Sequence, residues 1–116
     1  NKTTHDKTFM YIYDMFGRGW KVDVKGESTI SSFDGRTLVV DTSAIFYEVG
    51  DSDKKLVALR NETTGDIEFM TYEKKNTVNL SIADRGLYTG CSTDLGSTNK
   101  AYSLGTPLEI VLHDMV

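Results

Sequence analysis

Asp51, Asp53 and Glu62 stand at the first, third and twelfth positions of a calcium-loop spacing, where carboxylate oxygens would supply hard ligands to a divalent cation. The middle of that loop departs from the chemistry. Lys55 occupies a position that needs an oxygen ligand, and Leu56 the position where glycine makes the sharp turn. The segment reads as a solvated turn; a looser calcium site would have to draw Asp14, Asp34 or Asp51 together from separate loops, and no metal ligand or other cofactor is assigned. A thiol nucleophile needs a histidine base within hydrogen-bond reach. The single cysteine, Cys91, lies in Gly90-Cys91-Ser92, which matches no cysteine-enzyme signature, and the two histidines are His5, in a polar terminal segment, and His113, in an apolar strand pattern. The 17 Asp and Glu contain no pair that spacing alone selects for glycoside hydrolysis. No catalytic residue is therefore assigned, and the chain is expected not to be an enzyme.

Modification chemistry is better represented. Three Asn-x-Ser/Thr acceptor triplets begin at Asn1, Asn61 and Asn79, which favours a secreted glycoprotein with those asparagines at the surface. With one cysteine there is no internal disulfide framework and no multi-cysteine zinc site, so Cys91 is either buried or in contact with another chain. The numbering opens at Asn1 without an initiator methionine, as a processed product or a fragment of a longer chain would.

These residues are carried by elements that read as strands. A length of 116 residues suits one domain with one core. The hydrophobic fraction of 39% and charged fraction of 26% are those of a soluble globular chain, with no stretch long enough for a spanning helix and hence no membrane insertion expected. A net charge of -4 gives no footprint for a phosphate backbone, which argues against nucleic acid as a partner. Glycine and Asp/Asn/Ser clusters interrupt the sequence too often for helices of ordinary length. The runs between them are rich in Val, Ile, Thr, Tyr and Phe, whose branched and ring side chains suit a pleated surface. Strands are expected near 8–14, 20–25, 37–49, 55–61, 66–73, 77–83, 87–91 and 108–114, with hairpin turns at Asp34-Gly35 and Lys74-Lys75-Asn76 and a bend at Asp41-Thr42-Ser43. The fold class is all-β: a single antiparallel β-sandwich of about eight strands, jelly-roll-like or immunoglobulin-like. Phe9, Tyr11 and Tyr13 share one strand face and are expected to be buried, and Trp20, after Gly17-Arg18-Gly19, is expected to anchor the core.

The segment Tyr11-Ile-Tyr-Asp14-Met-Phe-Gly17-Arg-Gly19-Trp20 resembles the Asp-x-Phe/Tyr-Gly-Asp-Gly-Trp signature of extracellular β-sandwich modules in protist, algal and bacterial surface proteins, with Arg18 in place of the aspartate. Leu80-Ser-Ile-Ala-Asp84-Arg-Gly86-Leu-Tyr88 is similar to the Leu-x-Leu-x-Asp-Gly-x-Tyr strand of the same modules, with Arg85 as an extra residue. The resemblance implies a secreted, often tandemly repeated module with structural or adhesive duties and names no active site.

Met10–Phe16 also aligns with Ile110–Val116 at an offset of 100 residues, sharing Asp-Met and an apolar approach. On that reading the chain is one repeat plus the opening strand of the next, and 108–116 is a shared or linking strand that pairs with a neighbouring module, Ile110 and Leu112 making the contact. The resulting expectation is an extracellular or cell-surface structural protein that assembles with itself or with neighbouring modules, as in a filament or appendage. The alternative is a carbohydrate-binding module, which requires at least two coplanar Tyr or Trp rings exposed on one face.

Overall fold

The computed structural model describes residues 2–5, 9–13, 18–88, 90–96 and 98–111. Among them, nine strands follow in chain order: β1 (Lys2–His5), β2 (Phe9–Tyr13), β3 (Arg18–Phe33), β4 (Thr37–Val40), β5 (Lys55–Arg60), β6 (Ile67–Asn76), β7 (Asn79–Leu87), β8 (Lys100–Leu104) and β9 (Leu108–Val111). No helix occurs among the described residues, and hence none long and apolar enough to cross a membrane. The all-β expectation holds, and every pairing is antiparallel.

One strand organises the rest. β3 is 16 residues long, and its two halves serve different neighbours. Its first half lies between β2 (Met10 opposite Val22, Ile12 opposite Trp20) and β9 (Leu108 opposite Lys21, Ile110 opposite Gly19). Its second half lies between β8 and β4, with bulges at Val24/Gly26 and Ile30/Ser32, where an extra residue on one side lets a long strand bend. Because β3 pairs with both β4 and β8, hydrogen bonding runs through β3, β4, β7, β6, β5 and β8 and returns to β3, so six strands form a closed ring.

Two apolar clusters follow from strand alternation. One face of the ring strands gathers Leu38, Val40, Val57, Leu59, Met70, Tyr72, Leu80, Ile82 and Ala101. The opposite faces of β5, β6 and β8 carry Ala58, Ile67, Phe69, Tyr102 and Leu104, and these are covered by Met10, Ile12 and Val22 from the layer made by β2 and the start of β3. With both faces covered, β5 and β8 are buried at consecutive positions and not at alternate ones, in the way of fully buried strands.

Several expectations need correction. The strand near 37–49 ends at Val40. Residues 41–54 form an irregular segment whose apolar side chains cap the first cluster: Phe46 meets Tyr72 edge-on at 6.1 Å, and Ile45 lies over Gly26, where an added Cβ would sit 2.9 Å from Ile45 Cγ2. The 66–83 hairpin turns at Thr77-Val78 and not at Lys74-Lys75-Asn76, with Thr77 in the left-handed region (φ 56°). The strand expected at 87–91 is the end of β7 followed by a turn in which the Cys91 N–H donates to the Tyr88 carbonyl (3.3 Å). The turn after β3 is a three-residue connection held by Asp34, whose Oδ1 accepts from the N–H groups of Arg36 and Thr37 (2.9 and 2.7 Å). The buried face of β2 is Met10 and Ile12, so Phe9, Tyr11 and Tyr13 are only half-buried; the sheet's other face turned out to be the one covered. Trp20 is half-buried, packed on the second cluster beside Tyr88 (5.2 Å).

Candidate functional site

At the corner Gly105-Thr106-Pro107 the chain passes from β8, inside the ring, to β9, in the outer layer, while β3 bends alongside. The Gly105 N–H donates to the Asp23 carbonyl (2.9 Å), which fixes the corner against β3. The corner, the segment leading into β5 and the end of β7 together enclose a cleft of about 810 Å³. Its apolar surface comes from Leu56, Leu87, Leu104 and Tyr88, all packed on the second cluster. Its polar surface comes from Asp23 and Lys25 on β3, Asp53, Lys54 and Lys55 at the start of β5, and Thr71 on β6.

The charges of the cleft are paired. Lys25 Nζ lies 3.8 Å from Asp23 Oδ2, Lys55 Nζ 3.2 Å from Asp53 Oδ2, and Lys54 Nζ 3.1 Å from Asp84 Oδ2. The Thr71 hydroxyl also donates to Asp84 Oδ2 (2.7 Å), and that bond, with Lys54 behind it, holds the Asp84 carboxyl below its ordinary range. The Asp53 carboxyl is lowered by the Lys54 N–H and by Lys55. Tyr47 forms the lip, 38% exposed, with Lys55 Nζ 5.9 Å from its ring centre.

Tyr88 is the strained member of the wall. Its φ of 65° is rare for a bulky residue, and it lies two residues after Gly86, whose φ of 64° glycine adopts without strain. The reward is placement: the Tyr88 ring sits between Trp20 and Phe69, 5.2 Å from each. Burial pushes its phenol up from the ordinary value, with the neighbouring Cys91 adding to the shift.

Behind the turn lies a buried ion pair. Glu68 is fully buried on β6 and accepts four hydrogen bonds: from Arg85 Nε (3.0 Å) and Nη2 (2.8 Å), from the Gly86 N–H (3.0 Å) and from the Leu95 N–H (2.7 Å). The carboxylate therefore ties the end of β7 to the segment leading to β8, and raises the Arg85 guanidinium above its already high value. Arg85 is also 3.3 Å from Asp94 and stacks over Phe33 at 5.1 Å. Sequence reasoning missed this group, because Arg85 is named there only as an extra residue and Glu68 falls within a strand.

No protein-family profile, no characterised protein and no solved structure matches this chain.

The residues singled out from sequence are dispersed. Asp53 and Glu62 lie beyond opposite ends of β5, and among the described residues no group of three or more His, Cys, Asp or Glu is placed to hold a metal. Asn61 is half-buried at a turn, its Oδ1 accepting from the N–H groups of Thr63 and Thr64 (2.9 and 3.1 Å), and Asn79 is exposed at the start of β7. Cys91 is half-buried beside the second cluster. Ile110 is half-buried on β9, which pairs on one side with β3 of its own chain. Asn1, Asp14, Leu112 and His113 lie outside the described residues, as does Asp14–Gly17 of the motif before Trp20. Of the two segments aligned as a repeat, β2 and β9 flank opposite edges of β3, both antiparallel to it.

Proposed function

We propose that this chain is a non-enzymatic structural module of the extracellular space or cell surface, in which the outer layer and the ring it covers act as a sandwich-like body that joins other copies edge to edge. One observation carries the reading. Each of the six ring strands has a partner strand on both sides, whereas among the described residues β1 and β9 each pair on one side and leave an outer edge. These edges lie at the two ends of the order β1-β2-β3-β9. Pairing β9 of one copy with β1 of the next is a heterologous contact, which propagates into a filament when the rotation between copies does not close. The exposed side chain of Leu108, 65% accessible, stands at the start of that edge. The motifs shared with extracellular sandwich modules and the acceptor asparagines, Asn79 exposed and Asn61 at a turn, support a secreted glycoprotein.

The test is sedimentation velocity over a wide concentration range combined with a proline scan of 108–111. In a paired edge strand, alternate N–H groups face the partner strand and the open side. Proline at the outward positions should abolish self-association and leave the melting temperature unchanged, whereas proline at the inward positions should lower it. A monomer at all concentrations, or association indifferent to every proline, refutes the assembly reading. Intact mass of protein secreted from a eukaryotic host checks glycan occupancy at Asn61 and Asn79 separately.

A further inference from the structure

The cleft beside the Gly105-Thr106-Pro107 corner is not used by edge pairing, and its chemistry selects a class of occupant. We propose that it binds a neutral saccharide. Each lysine in it already faces a carboxylate, Lys25 with Asp23, Lys54 with Asp84 and Lys55 with Asp53, at 3.1 to 3.8 Å. Three lysines are thus balanced by three carboxylates, and the cleft offers no net charge to an anionic or a cationic ligand. Neither gains charge that the cleft does not already balance internally.

A sugar disturbs none of these pairs. Each of its hydroxyls can donate to one oxygen of a carboxylate while accepting from the adjacent ammonium, whose three donors are not exhausted by one partner. Alternating donors and acceptors of this kind, spread over β3, β5 and the segment before it, match a ring of adjacent hydroxyls better than any single charged group. The remaining surface suits the other half of a sugar, its C–H face. Leu56, Leu87 and Leu104 give an apolar floor, and Tyr47 offers one partly exposed ring at the lip; among the described residues this single ring stands where a flat sugar-binding face would show a coplanar pair, so the occupant is held in a cleft and not on an aromatic platform. The volume of about 810 Å³ is within the range of small-molecule sites and exceeds what one sugar unit fills. Tyr88, in its rarely adopted backbone conformation, sets the back wall.

The experiment is amide chemical-shift titration of the isotopically labelled full chain with four neutral trisaccharides (maltotriose, cellotriose, laminaritriose and chitotriose) and with a sulfated heparin tetrasaccharide as the charged control. At least one neutral probe should shift the amides of Lys54 to Leu56, Leu87, Tyr88, Gly105 and Thr106 with a dissociation constant on the order of 1 mM or tighter. Tyr47→Ala, at an exposed lip position, should weaken that binding about tenfold or more without altering the melting temperature. Lys54→Met should weaken it as well, since it removes a donor and unbalances Asp84. The proposal fails if no neutral probe shifts these amides at about 10 mM. It fails equally if only the sulfated probe does so, or if the shifts lie elsewhere. None of these results bears on strand-edge assembly, which is read by sedimentation.

Discussion

Replacing Arg85 with methionine keeps the side chain's length and apolar stem and removes only the guanidinium. Glu68, with no exposed surface, then retains its two backbone donors, Gly86 and Leu95, and loses its countercharge and two charge-assisted hydrogen bonds. Breaking a buried pair by removing one partner costs about 3–5 kcal/mol, because the other charge stays behind uncompensated. The lower end applies here, since Arg85 is 26% exposed and water can enter its place. For a chain of 116 residues the unfolding entropy is about 0.24 kcal/mol/K, so about 3 kcal/mol lowers the melting temperature by about 12 °C. The deciding measurement is the double-mutant cycle with Glu68→Met, followed by calorimetry and urea unfolding. Once the carboxylate is absent Arg85 keeps only its pair with the exposed Asp94 and its stack on Phe33, so Arg85→Met should cost less than about 1 kcal/mol in that background, a coupling of about 2 kcal/mol. If Arg85→Met lowers the melting temperature by less than about 4 °C, or costs the same in both backgrounds, the account of a buried pair that ties the end of β7 to the segment before β8 is wrong.

Three further outcomes follow from other contacts. Gly26→Ala should destabilise by about 1–3 kcal/mol because the added methyl meets Ile45 at 2.9 Å, and Ile45→Ala should recover part of that loss in the double variant; thermal melts of the three proteins decide it. The Tyr72 phenol is pushed up to about 12 by burial, against about 10 in the unfolded chain, so the stability it contributes is complete below pH 10 and is lost as pH rises towards 12. Ultraviolet titration of the phenolate should therefore show a late step, coincident with unfolding, that Tyr72→Phe removes. Asp34 is held below its ordinary value by the Thr37 and Arg36 N–H groups, so its contribution is present above about pH 4 and lost as pH falls through the lowered value. Asp34→Asn, which keeps the accepting oxygen and not the charge, should flatten the decline of melting temperature on acidification, and an unchanged slope would contradict the assignment.

Strand character was legible wherever branched and aromatic residues cluster, as in β2, β4, β5 and β6. It was misleading where apolar residues serve another end. Ala44 to Tyr47 reads as the continuation of β4, yet Ile45 and Phe46 cap the first cluster from an irregular segment. β8 was missed because Lys-Ala-Tyr-Ser-Leu has weak strand propensity and both faces are covered, which removes the alternation that marks a half-buried strand. The second half of β3, Lys25 to Ser32, is polar and contains a glycine, and only its pairing on both edges makes it a strand. Glu68 and Arg85 are 17 residues apart on neighbouring strands whose register is shifted by bulges, so no spacing rule brings them together. The cleft is assembled from six separated stretches and has no linear signature at all.

The closing partner of the ring imposes an order of events on synthesis. β3 is complete once Phe33 has emerged, but β8, which covers one of its edges, ends at Leu104. At ordinary translation speeds the interval is roughly 4–14 s. Throughout it a strand of 16 residues waits with that edge unpaired while β4 to β7 assemble beside it. The polar composition of Lys25 to Ser32, which hid the strand from pattern reading, keeps that waiting edge soluble; a more conspicuous strand at this position would invite other nascent chains to pair with it first.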